Sequence, residues 1–140
     1  MVFLNSEGRF NDNSYLIDGL IFRLPGQLSL YIVENQGMRM MIDVGEELAA
    51  RKILRKLKNL GLYPIHKILL THSHFDHTQA VEKLKMLMKE NEIEVLASEK
   101  AISSLKSPKT MNEYFGYTMN PINDVSPLKE EDIIDLNGLE

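Results

Sequence analysis

Between Ile42 and Glu46 the apolar spacing of this chain changes from every second residue to every third or fourth. That switch restricts the fold to a set of strands feeding a helix that covers them. Before it, Ser14 to Asp18, Leu20 to Leu24, Leu28 to Val33 and Met38 to Ile42 read as short antiparallel strands, broken at Asp18-Gly19, Pro25-Gly26 and Asn35-Gln36-Gly37. Met38, Met40 and Ile42 fall on one side of the last strand, with Arg39 and Met41 on the other. Methionines so placed fill a core more readily than they ligate a soft metal. After the switch, Ala49, Ala50, Ile53, Leu57 and Leu60 recur at helical spacing between Glu46 and Leu60, and Gly61 stands where a C-terminal cap belongs. Arg51, Lys52, Arg55, Lys56 and Lys58 form the other face, which reads as solvated.

A second strand-to-helix unit follows. Lys67 to Thr71 reads as a largely buried strand, and Ala80, Val81, Leu84, Leu87 and Met88 define a helix beyond it. Ile93 to Ala97 is a further strand, and Ser98 is placed to cap a brief helix to about Leu105. The expected class is α/β, a mixed sheet covered by helices. From Lys106 to Pro127 the pattern is broken by prolines and asparagines, yet Tyr114, Phe115, Tyr117 and Met119 suit either a pocket-lining loop or one pinned to the core. Near the end, Asn137-Gly138 reads as a hairpin turn.

Composition narrows the partners. With 140 residues and 44% hydrophobic content, one domain spanning 1–140 is expected. The 16 basic against 20 acidic residues, net −4, offer no broad basic surface, so nucleic acid is not the expected partner. Neither a basic leader nor an apolar run of about 18 residues occurs, so no membrane partner and a cytoplasmic location are expected. The absence of cysteine leaves only imidazole and carboxylate to hold a transition metal.

Such donors are concentrated in Thr71-His72-Ser73-His74-Phe75-Asp76-His77, which contains three of the four histidines. The segment follows a buried strand and precedes a helix, the edge of an α/β sheet where ligands bind. In extended backbone His72 and His74 project to one side and can share a cation, while Asp76 and His77 reach a second after the turn. Two ions about 3.5 to 4 Å apart form a hydrolytic centre. These donors suit zinc, and iron or manganese as well. The remaining histidine, His66, begins the same strand and reads as a strand-edge residue about 20 Å from His72.

With its preceding strand, this segment resembles the metal-binding loop of the metallo-beta-lactamase superfamily, and Met41-Ile42-Asp43-Val44-Gly45 resembles the family's strand ending in Asp-x-Gly. The likeness extends over roughly residues 14 to 100. It implies an αβ/βα sandwich, here only its N-terminal half, with two divalent metal ions. His72 and His74 would ligate one ion and Asp76 and His77 the other. Asp43 would hold the ligand loop by hydrogen bonds. The implied activity is a hydrolase in which a hydroxide between the ions attacks an ester, thioester, lactone or lactam, with Asp76 as the catalytic residue that orients or deprotonates it. Phe75 inclines the expectation towards a small-molecule substrate.

Two departures from the family are visible. Thr78-Gln79 replaces small residues after the motif, and the later ligands are missing: a Pro-Gly-His-Thr-like turn, a bridging aspartate and a final histidine. Asp124, Asp132 and Asp135 lack the context of that bridge, and Leu136 to Glu140 resembles the stretch just before the missing turn. The alternative expectation is therefore a noncatalytic fragment or interaction module, whose metal site and exposed sheet are completed by a homodimer partner or a C-terminal half.

Overall fold

The computed structural model describes residues 7–108 and 120–140. Tyr114, Phe115, Tyr117 and Met119 lie outside the described residues. In chain order the elements are β1 (Gly8–Arg9), β2 (Ser14–Asp18), β3 (Ser29–Asn35), β4 (Met38–Ile42), α1 (Ala50–Asn59), β5 (Lys67–Leu70), α2 (Phe75–Thr78), α3 (Val81–Leu87), β6 (Glu94–Ser98), α4 (Glu99–Lys106) and β7 (Ser126–Leu128). The seven strands form one sheet whose spatial order follows the chain, antiparallel from β1 to β4 and parallel from β4 to β7. The mixed α/β class expected from the period switch is the one observed.

The register sorts the apolar residues onto two faces. Tyr15, Ile32, Met41, Ile68 and Val95 are successive cross-strand partners on the face that α1 and α3 cover. There Ile53 and Leu57 of α1 and Leu84 of α3 are fully buried in one cluster with Ile32, Met41 and Ile68. Cutting Leu57 back to alanine in such a setting costs about 2–5 kcal/mol. Met41 is therefore a core side chain, as its alternation with Met40 predicts. Gly61, at φ 72°, ends α1 in the left-handed conformation that glycine adopts without strain.

The other face carries Leu16, Tyr31, Ile42, Leu69 and Leu96 in register. Tyr31 is exposed, and part of this face borders a cavity of about 700 Å³ between Val33 and Met40 and the C-terminal residues Ile134, Leu136 and Leu139. The C-terminal stretch is tied there by Asn35 Nδ2, which donates to the carbonyl oxygens of Leu136 and Asn137. The expected turn at Asn137-Gly138 is present as a bridge between Leu136 and Leu139.

Three details depart from the sequence expectation. Leu20 to Leu24 is not a strand but a 3₁₀ turn at Ile21–Arg23, with Leu20, Phe22 and Arg23 all at positive φ. Asp76 and His77 lie within the short helix α2 instead of a loop. Ser126–Leu128, which reads as irregular because of Pro127, pairs in parallel with β6. Proline is tolerated there because the strand is at the sheet edge.

Candidate metal centre

Because β4 and β5 are parallel neighbours, their carboxyl ends leave the sheet side by side, with Met41 opposite Ile68 and Ile42 opposite Leu69. Asp43 follows one and Thr71-His72 the other. Asp43 N continues the ladder by donating to Leu69 O at 2.9 Å, then the backbone turns left-handed at Asp43, φ 58°. Aspartate tolerates this conformation better than most residues, yet it remains a strained position of the kind found at functional sites. The turn points the Asp43 carboxylate at the segment after β5.

That carboxylate organises the segment. Oδ1 accepts from Thr71 N at 2.9 Å, and Oδ2 accepts from Thr71 Oγ1 at 2.7 Å. His77 Nδ1 lies 2.8 Å from the same Oδ2, and His72 Nδ1 lies 2.8 Å from Thr71 Oγ1. With the Thr71 hydroxyl proton committed to Asp43, the hydroxyl oxygen accepts from His72 Nδ1–H. His77 Nδ1–H donates to Asp43 directly. One buried carboxylate therefore selects the tautomer of two histidines and leaves both Nε2 lone pairs available.

The rings converge. His72 stands 4.7 Å from His74 and 4.2 Å from His77, centroid to centroid. Ligand atoms of His72, His74 and Asp76 all lie within 4.8 Å of one another, as do those of Asp43, His72 and His77. His77 Nε2 is 3.4 Å from Asp76 Oδ2. His72 thus belongs to both groups of donors, and every expected site residue is brought to one place. The grouping does not divide into the pairs His72–His74 and Asp76–His77.

The electrostatics follow from these contacts. Burial and the neighbouring His77 hold His72 below its ordinary pKa. His77 is raised, first by its hydrogen bond to Asp43. Burial alone pushes the Asp43 carboxyl up, but the hydrogen bonds from His77 and Thr71 outweigh it and leave Asp43 below the usual carboxylate value. A neutral His72 beside an ionised Asp43 is the protonation state that a cation requires.

Thr78-Gln79, which stands out in the sequence, has a local role. Thr78 is fully buried, and its Oγ1 donates to His74 O at 2.9 Å. Gln79 Oε1 accepts from Glu47 N at 3.0 Å and so joins α2 to the start of α1. Val44 N donates to His77 O and Ala80 N to Gly45 O, so the two post-strand turns are stitched together along their length. Asp132 and Asp135 are occupied in turns, accepting from Lys129 N and Gly138 N, and Asp124 is 96% exposed at its side chain.

Sequence reasoning missed Glu46. It is buried, and its Oε1 accepts from Phe22 N at 2.9 Å. The Phe22 ring in turn lies 6.3 Å from that of Phe75, between His74 and Asp76 in the chain. Only the folding back of residues 20–24 buries this glutamate, and no local pattern announces it.

The profile of the metallo-beta-lactamase superfamily matches residues 23–135. Among curated proteins, a probable metallo-hydrolase of Methanocaldococcus jannaschii is 29% identical over 140 residues, covering 98% of this chain and 58% of that protein. An octanoyltransferase of Porphyromonas gingivalis is 25% identical over 112 residues, 77% of this chain and 22% of that protein. Among solved structures, a metallo-beta-lactamase from Elizabethkingia meningoseptica superposes with a TM-score of 0.76 at 21% identity, covering 93% of this chain and 47% of its own. A subclass B3 metallo-beta-lactamase of Bradyrhizobium japonicum gives 0.75 at 20% identity, with 93% and 47% covered. The chain thus spans about half the length of these structures and less than two thirds of the curated relatives.

Proposed function

Since the chain belongs to the metallo-beta-lactamase superfamily, we propose that the edge formed by Asp43 and residues 72–77 is the metal-holding wall of a hydrolase acting on a small ester, thioester, lactone or lactam. The observation that carries this reading is the convergence of ligand atoms from His72, His74 and Asp76 within 4.8 Å, with His72 also grouped with Asp43 and His77. Three imidazoles and a carboxylate fit zinc, and they accommodate iron or manganese. Two such ions, when bound, would polarise a carbonyl oxygen and lower the pKa of water.

The chain's own residues prepare that chemistry. His72, His74, Asp76 and His77 are the proposed ligands. Asp43 fixes the tautomers of His77 directly and of His72 through Thr71, so both Nε2 atoms keep a lone pair for a cation. Asp76 is the proposed catalytic residue: the carboxylate oxygen that does not face His77 Nε2 can hold the proton released as the nucleophile forms. Phe75 is buried, which anchors the ligand turn to the core and resists its collapse.

A second reading is favoured by the donor count. Two ions of about four ligands each need more donors than these four side chains provide, and the chain spans about half of the structures it resembles. We propose that further donors come from a segment beyond these residues or from a second chain, and that turnover depends on them. Native mass spectrometry after zinc reconstitution, followed by an ester and lactone screen over a range of protein concentrations, tests both readings. Saturable zinc that disappears in His72→Ala supports the metal wall, and a folded chain that takes up no zinc would overturn it. Activity strictly linear in chain concentration, without partner, would overturn the need for assembly.

A further inference from the structure

A second chemical environment lies under the turn that joins β2 to β3. Leu20, Arg23, Glu46, Leu48, Ala49 and Lys52 line a pocket of about 230 Å³, smaller than the cavities that take drug-sized ligands. Glu46 is only 1% exposed. Its Oε1 accepts from Phe22 N, but Oε2 is the one buried side-chain oxygen without a hydrogen-bond partner among the described residues. A buried carboxylate oxygen left in this state is costly, and folded proteins normally give it a donor. The Arg23 and Lys52 side chains, on the same pocket, have no acidic partner among the described residues, although acids outnumber bases in the chain. Leu20, Leu48 and Ala49 supply aliphatic wall.

One unsatisfied acceptor and two unpaired cations around an aliphatic pocket make the complement of a small zwitterion. A simple cation would answer Glu46 and repel Arg23 and Lys52, whereas a simple anion would do the reverse. We propose that this pocket binds a small aliphatic α-amino acid. The ligand ammonium donates to Glu46 Oε2, the carboxylate accepts from Arg23 and Lys52, and the side chain packs against Leu20 and Leu48. Seating the ammonium requires a wall residue to swing aside, and Leu48, 66% exposed, has the room to do so.

The test is an NMR titration of the full chain with L-valine, using isobutyrate and isobutylamine as singly charged controls. Valine is expected to give saturable shifts confined to the amides of Leu20, Arg23, Glu46, Leu48 and Lys52. Isobutyrate should bind about tenfold more weakly, the loss expected for one charged hydrogen bond, and isobutylamine about a hundredfold more weakly, the loss of two. Arg23→Gln and Lys52→Gln, both at exposed positions, should each weaken valine binding by a similar factor, about tenfold, while Lys52→Arg retains it. Glu46→Gln should abolish the preference for valine over isobutyrate. The proposal is overturned if valine gives no saturable shift, if isobutyrate binds equally well, or if Lys52 or Arg23 is found paired with Glu46 in the free protein. The titration reads binding and not turnover, so its failure would leave the metal-centre reading standing.

Discussion

Strand β5 has a histidine at each end, and the two ends are put to opposite uses. At the start, His66 Nδ1 accepts from Arg39 N at 3.1 Å, its own N donates to Arg39 O at 3.0 Å, and its carbonyl accepts from Glu94 N at 3.1 Å. Every one of those bonds goes to the backbone of a neighbouring strand, and the residue extends the ladder to both neighbours at the start of β5. At the far end, His72 spends Nδ1 on a side-chain hydroxyl and stands among other donors with Nε2 uncommitted. Both histidines are held below their ordinary pKa, first by burial in each case. The direction of the shift therefore does not distinguish a structural histidine from a ligand. What distinguishes them is whether the ring's lone pair is consumed by the backbone or left to converge with others.

The sharpest way to break this comparison is to remove each histidine in turn. His72→Ala with His74→Ala should weaken zinc binding more than about 100-fold, beyond the range seen for residues that merely orient ligands. His66→Ala should leave the stoichiometry unchanged, as read by native mass spectrometry or chelator competition. Zinc loss in His66→Ala would erase the distinction. Next in size, Asp43→Asn keeps the shape but gives His77 and Thr71 a poorer acceptor, so zinc affinity should fall about 10- to 100-fold. That variant sharpens the comparison, because it disturbs tautomers at one end of β5 without touching the other.

The smallest effect belongs to His66 itself. Losing the acceptor for Arg39 N should lower stability by about 1 kcal/mol in denaturant unfolding. Because its folded pKa is lowered, the unfolded chain binds a proton more readily near pH 6.5, so the His66 contribution is present above that pH and lost as pH falls below it. The stability gap between the native protein and His66→Gln should therefore narrow below pH 6.5. A gap that stays constant on acidification would mean that the ring nitrogen does not accept from the backbone.

The legible part of this molecule is the part written in contiguous sequence. His72, His74, Asp76 and His77 stand on one segment after a strand whose apolar run is unbroken, so their juxtaposition needs no knowledge of the rest. Asp43 is 29 residues away from His72 in the chain, and its role was readable only through resemblance. Its position depends on β4 and β5 being parallel neighbours, which local pattern does not encode. The turn over Glu46 reads as a strand because Leu20, Phe22 and Leu24 alternate, while the backbone at Leu20 and Phe22 is left-handed, which side-chain pattern cannot signal. β7 is hidden in the sequence because Pro127 weakens any strand reading, and only its position at the sheet edge makes it acceptable.

The spatial order of the strands, which repeats their order in the chain, also bears on how the molecule comes into being. Every strand joins an edge made by the residues before it, so no strand has to wait for residues that follow it, and because closure entropy grows only slowly with length the longer connections before β5, β6 and β7 add little. A chain emerging from the ribosome can lay down this sheet one strand at a time. The histidine turn then acquires its supporting carboxylate as soon as β5 docks on β4, before β6 and β7 exist. His72, His74, Asp76 and His77 are in this sense brought together with Asp43 before the strands that follow widen the platform behind them.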